Sequence, residues 1–158
     1  EMDKGTLTLL SATPKTMEGT LLDIGCGWGA VGTILGKTHP ALLVTMSDVN
    51  SRAVELAARN AQAHGVRAEI IQSDGFENID GEFDHILLNP PIRAGKQVIY
   101  RLFEECAQHL KKDGTLYVVI RKQQGADSAQ KHLQTLFSSV SIGQRSAGYR
   151  VFLCRKGR

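Results

Sequence analysis

Thr20-Leu21-Leu22-Asp23-Ile24-Gly25-Cys26-Gly27-Trp28-Gly29-Ala30 is an apolar run that breaks into alternating glycines and then resumes with helical spacing. Residues 20–24 read as a short buried strand. The glycines end it, and residues 30–37 continue as a helix with Val31, Ile34 and Leu35 on one face. Working outward, the same alternation repeats. Strands are expected at residues 42–46, 67–72, 84–88 and 115–120. Helices are expected at 51–64, capped by Ser51 and stopped by Gly65, at 96–110 and at 127–137. Ile99, Leu102, Phe103, Cys106 and Leu110 make the buried stripe of the longest amphipathic helix, and Asp113-Gly114 turns the chain into the fifth strand. Two closing strands, 140–144 and 149–154, are joined by Ser146-Ala147-Gly148, a link short enough to force antiparallel pairing. The expected fold is α/β and Rossmann-like: seven strands, mostly parallel with an antiparallel last strand, and helices on both faces.

The chain has 158 residues, 42% hydrophobic and 22% charged, which predicts one soluble domain over 1–158 with a substantial core. The first dozen residues read as a partial helix or lead-in. No apolar run approaches the roughly 20 residues that span a bilayer. Cys26, Cys106 and Cys154 are odd in number and widely spaced, against a disulfide framework or a zinc site and in keeping with a reducing cytoplasm. The five histidines lack metal spacing, so no metal is expected. Charge is uneven. Residues 1–79 carry 6 Lys/Arg against 9 Asp/Glu, whereas residues 80–158 carry 13 against 7. A polyanionic partner would be drawn to the second half, although a solvated basic surface has the same signature.

The glycine loop suits close approach of backbone to a ligand, and the helix that follows favours an anionic group. Gly25, Gly27 and Ala30 also satisfy the dinucleotide fingerprint, so a nicotinamide enzyme is one reading. Two carboxylates help to choose. Asp48 ends the second strand, about 20 residues beyond the loop, where an acid holds ribose hydroxyls. Asp74 ends the third, in Gln72-Ser73-Asp74-Gly75, where an acid accepts from an adenine amino group. A dinucleotide enzyme has no need of that second acid. Both also suit a helix cap or a turn.

At the end of the fourth strand stands Asn89-Pro90-Pro91-Ile92. A diproline cannot continue a ladder, because proline lacks the N–H and fixes φ. The turn aims the Asn89 amide and the Pro90 carbonyl past the strand end. Two acceptors so placed can grip both hydrogens of one amino group. That draws a planar, delocalised nitrogen toward tetrahedral geometry and points its lone pair at an electrophile. The glycine loop, Asp48, Asp74 and Asn89 all fall at carboxyl ends of strands, the edge where open α/β sheets bind ligands.

These residues, with Asp3-Lys4-Gly5-Thr6 in the lead-in and Arg93-Ala94-Gly95-Lys96 after the turn, resemble class I S-adenosylmethionine (SAM) methyltransferases. The likeness is to the methyltransferase small domain group, which includes ribosomal RNA guanine-N2 methyltransferases, and it runs over nearly the whole chain. It implies that SAM is bound and S-adenosylhomocysteine released, without metal. Gly25 and Gly27 would line the methionine portion, Asp48 the ribose and Asp74 the adenine, with Thr6 near the carboxylate end. Asp23, Cys26, Gly29, Val49, Gly75 and Asn89 complete the implied cofactor set. Asn89 and Pro90 would be catalytic. Pro91, Ile92, Arg93 and Lys96 would meet a substrate in ribosomal RNA or a ribosomal particle, and Arg121-Lys122-Gln123-Gln124 ends the fifth strand on the same edge. Trp28 stands where relatives often have tyrosine, and the lead-in is expected to be shorter than in relatives.

The same turn resembles those of adenine-N6, cytosine-N4 and glutamine-N5 methyltransferases, many of which carry an aromatic fourth residue. Ile92 cannot stack, which favours guanine N2 and leaves the base contact to Tyr149, Phe76 or Tyr100. Adenine-N6 and glutamine-N5 transfer remain the rival activities. The rival from another class is an inactive SAM- or RNA-binding module.

Overall fold

The computed structural model describes residues 3–90 and 94–157. Seven strands form one sheet: β1 (Gly19–Ile24), β2 (Leu42–Asp48), β3 (Ala68–Gln72), β4 (Phe83–Leu88), β5 (Leu110–Arg121), β6 (Ser139–Ser146) and β7 (Tyr149–Arg155). Their order is β3-β2-β1-β4-β5-β7-β6, parallel throughout except that β7 runs antiparallel to both β5 and β6. The helices are α1 (Lys4–Ser11), α2 (Ala30–Thr38), α3 (Ser51–Ala63), α4 (Lys96–Gln108) and α5 (Ala126–Leu136). The seven-stranded Rossmann-like expectation holds.

Pleating sorts the core onto two faces. Leu21, Val44, Met46, Leu87, Val119 and Val151 point toward Leu9 of α1 and toward Val31 and Leu35 of α2. Their neighbours Leu22, Ile24, Ile86, Leu88, Val118 and Phe152 point toward Leu102, Phe103 and Cys106 of α4 and Leu133 of α5. Central strands buried on both faces explain the near-continuous apolar runs.

Three of the boundaries that differ from the sequence reading have a direct physical cause. Asn50, not Ser51, caps α3: it is extended, and its side-chain oxygen accepts from the Arg52 and Ala53 amides, while Ser51 is already helical. The fourth helix stops at Gln108, because Leu110 already pairs with Phe83 and the Phe83 amide donates to the His109 carbonyl at 2.8 Å. Asp113-Gly114 therefore lies inside β5, beside a register shift opposite Phe83 and His85, rather than ahead of it. A 3-10 turn, Lys122–Gln124, follows β5. The closing hairpin turns on two residues, Ala147 (φ 51°) and Gly148 (φ 82°), both left-handed, as a tight turn matching strand twist requires.

Strand order reverses between β1 and β4, one leading to β2 and the other to β5. A crevice opens there at the carboxyl ends of the strands. It is flanked by the glycine loop on one side and Asn89 on the other.

Candidate active site

Two hydrogen bonds set the glycine loop over β2: the Gly25 and Cys26 amides both donate to the Ser47 carbonyl at 2.9 Å. Gly25 (φ 73°) turns the chain close to β4, where a Cβ would sit 3.6 Å from the Asn89 carbonyl. Gly29 (φ 87°) starts α2, and a Cβ there would come within 2.9 Å of the Ala57 side chain. The loop is thus held by packing as well as by conformation.

Asp48 ties the loop from below. Its Oδ2 accepts from the Gly27 amide and its Oδ1 from the Asn50 amide, each at 2.9 Å. A carboxylate has about four acceptor sites, so two remain for a ligand. Asp23 is different: it is buried, and its Oδ2 accepts from the Gly32 amide at 3.2 Å in the first turn of α2. Burial pushes its carboxyl up to about 7, against the Gly32 hydrogen bond and with help from the Asp48 charge. Cys26 lies nearby with its Sγ 3.4 Å from the Gly27 carbonyl. Burial, then the charges of Asp23 and Asp48, push its thiol far up, so it is a protonated packing group.

The raised Asp23 carboxyl has a consequence for stability. The folded state keeps its proton over a range where the unfolded chain has lost it. Stability from this group is complete below the unfolded value of 3.8 and is lost as pH rises through about 7. Asp23→Asn is expected to flatten the fall in melting temperature between pH 4 and 7; a parallel profile would remove Asp23 as its source.

Around this loop lies a cavity of about 440 Å³. Of the predicted cofactor residues, Gly25, Gly27, Asp48, Val49, Asp74, Gly75 and Asn89 line it. Asp23, Cys26 and Gly29 support the loop without lining it. Leu88, Val98, Arg101 and Leu102 line it unforeseen. Val49 and Val98 are 63% and 40% exposed, high for valines, and both belong to this lining. Arg101 Nη2 stands 4.0 Å from Asp74 Oδ1 at the mouth, with both side chains exposed.

A second cavity, about 350 Å³, opens on the other side of Asn89. Pro90, Lys96, Tyr100, Ile120, Arg121 and Tyr149 are among its walls. Asp3 and Gly5 of the lead-in close it. The Asp3 side chain caps α1 by accepting from the Thr6 amide at 2.7 Å, and Thr6 lines neither cavity. Gly5 lets α1 lie against Tyr149, where a Cβ would come within 2.9 Å of the ring. Arg121 Nε donates to Tyr149 Oη at 3.1 Å. Tyr100 stacks on His132 with centroids 4.1 Å apart. Phe76 is buried against His109 and lines neither cavity, so it drops out as a stacking surface. Pro91, Ile92 and Arg93 lie outside the described residues.

Asn89 is the one described residue common to both linings. No side-chain hydrogen bond ties it down among the described residues, so its amide oxygen is available as an acceptor. Also among the described residues, no three His, Cys, Asp or Glu side chains are grouped to hold a metal, and no helix is long and apolar enough to cross a membrane.

Residues 1–153 match the model of the methyltransferase small domain family. The chain is 44% identical to the uncharacterised protein YbxB of Bacillus subtilis, covering 99% of this chain and 80% of that one. It is 35% identical to the ribosomal RNA small subunit methyltransferase C of Aeromonas hydrophila, covering 98% of this chain and 45% of that one. It thus spans under half the length of that relative. Among solved structures, the 16S rRNA N2 G1207 methyltransferase RsmC of Thermus thermophilus, in complex with AdoMet and guanosine, superposes with a TM-score of 0.87. At 23% identity, over 99% of this chain and 44% of that one, the likeness shows the fold.

Proposed function

Because the chain belongs to the methyltransferase small domain family, we propose that it transfers a methyl group from SAM to an exocyclic amine, guanine N2 in ribosomal RNA. The observation that carries this reading is the position of Asn89 between two cavities, one suited to a nucleoside donor and one to a planar acceptor.

The donor cavity fits SAM in its chemistry. Val49 and Val98 offer exposed apolar surface for a planar base, beside carboxylates for its amino group and its ribose. Asp48 would take the ribose hydroxyls with its remaining acceptor sites, Asp74 the adenine amine, and Gly25 and Gly27 the methionine end. When bound, SAM supplies an electrophilic methyl on a sulfonium whose thioether leaves without acid catalysis.

In the acceptor cavity, the Asn89 Oδ1 and the Pro90 carbonyl each accept one N–H of the target amine. The nitrogen pyramidalises and its lone pair faces the donor cavity. As the new N–C bond forms, positive charge grows on nitrogen against two fixed oxygens, the electrostatic and orientational contribution expected of such a site. The surplus proton leaves to water after transfer. Tyr149, held by Gly5 and Arg121, or Tyr100 provides the flat wall for the base. A base in a duplex cannot reach this cavity, so the acceptor is unpaired or extruded.

Guanine N2 is favoured over a protein amide by the cations at the acceptor mouth, Lys96 and Arg121, and by the ribosomal RNA methyltransferases among the 35%-identical relatives. Incubation with methyl-labelled SAM and undermethylated ribosomal particles tests the proposal. The label is expected in N2-methylguanosine, destroyed by ribonuclease and resistant to protease. Label that survives ribonuclease and disappears with protease would replace guanine with a glutamine side chain.

A further inference from the structure

The basic second half of the chain divides between two edges of the sheet. Lys111, Lys112, Arg155 and Lys156 gather at the start of β5 and the end of β7, away from the cavities. Two of these are already engaged: Lys111 with Asp84 at 3.1 Å and Lys156 with the Leu110 carbonyl at 3.2 Å. Lys122, Arg145 and Arg150 gather at the opposite edge, around the β6–β7 turn. No single nucleic-acid strand lying across one edge meets both groups.

The group around the turn is built in a way that folding alone does not favour. Arg145 and Arg150 are direct cross-strand partners, a like-charge pair that destabilises a hairpin. Arg150 is relieved by Asp127, Nη1 to Oδ1 at 2.7 Å. Arg145 and Lys122 are exposed and have no ion pair among the described residues. The turn itself is fixed: the Lys122 amide donates to the Gly148 carbonyl at 2.9 Å, joining the 3-10 turn to the hairpin tip. Between these side chains runs a groove of about 340 Å³, and Tyr149 lines both this groove and the acceptor cavity. Tyr149 is thus the residue at which the groove and the acceptor cavity adjoin.

We infer that the groove of Lys122, Arg145 and Arg150 binds the phosphodiester backbone of the RNA strand flanking the target nucleotide. This rests on the RNA reading above. A phosphate between Arg145 and Lys122 removes the repulsion that the Arg145–Arg150 pairing leaves, and the tied turn means little ordering is needed on binding. A base inserted past Tyr149 leaves its own backbone at the mouth of this groove.

The test is the salt dependence of binding of a fluorescent single-stranded oligoribonucleotide. The double variant Lys122→Ala/Arg145→Ala removes both cations of that one phosphate contact and is expected to lower the slope of log K against log salt by about 0.7. Lys112→Ala/Arg155→Ala, on the opposite edge, should leave the slope unchanged. SAM affinity, unaltered in both variants, verifies that they are folded. An unchanged slope in the first variant, or an equal fall in the second, would overturn the inference. So would an equal loss when polyglutamate replaces RNA, which would assign the groove to an acidic protein. Wild-type protein that binds RNA through these residues yet methylates none would sink the guanine-N2 reading and leave the groove standing.

Discussion

Asn89→Ala is expected to lower the rate of methyl transfer about 10³-fold while SAM affinity stays within about threefold of wild type, from the usual cost of removing one preorganised group at a developing charge. The split follows from position. Asn89 lines the donor cavity on the side it shares with the acceptor cavity, whereas adenine and ribose groups would be held by Asp74, Val49 and Asp48, which line the donor cavity alone. Loss of the amide leaves those contacts intact and removes one of two acceptors for the target amine. The nitrogen then stays planar, its lone pair delocalised. Asn89→Asp keeps an acceptor oxygen in place and should retain more activity than alanine. Calorimetry for SAM and a single-turnover assay check the two halves separately. A wild-type rate in the alanine variant would refute the mechanism; loss of SAM affinity equal to loss of rate would make Asn89 a binding residue only.

Much of this arrangement is legible in the sequence because it is local. The glycine loop, Asp48, Asp74 and Asn89 each stand at the end of a strand or within two residues of it, so recognising the strands also places the residues on one edge. What escaped is non-local or hidden in a core pattern. Val98 and Arg101 sit in a helix whose stripe, Ile99 to Cys106, reads as packing. Only the apolar Val98 lying off that stripe hints at a second exposed task. Arg121 and Tyr149 meet through antiparallel pairing of β5 and β7, 28 positions apart in the chain, with no short-range signal. The capping error at Ser51 has a simple origin. Asn50 and Ser51 are both good caps, and the choice depends on where the backbone leaves the extended region, which the hydrogen bond from the Asn50 amide to Asp48 decides.

Asp48→Ala should weaken SAM binding by roughly 100-fold, the loss of about one hydrogen bond to a charged acceptor at about 1.5–3 kcal/mol. At saturating SAM the transfer rate should recover, the reverse of the Asn89→Ala pattern. Asparagine is not a conservative replacement here. In wild type both carboxylate oxygens accept from backbone, one from Gly27 and one from Asn50. An amide offers one acceptor and turns its NH₂ toward the other backbone N–H, two donors face to face. Asp48→Asn is therefore expected to behave nearly as badly as alanine, through the glycine loop as well as through the ribose. The same variant carries a second readout. The Asp48 charge contributes to the raised carboxyl of Asp23, so removing it should move the pH-dependent loss of stability to lower pH. Unchanged SAM affinity would take Asp48 out of the donor site. A shifted melting profile with unchanged affinity would leave it only the structural task of tying the loop to α3.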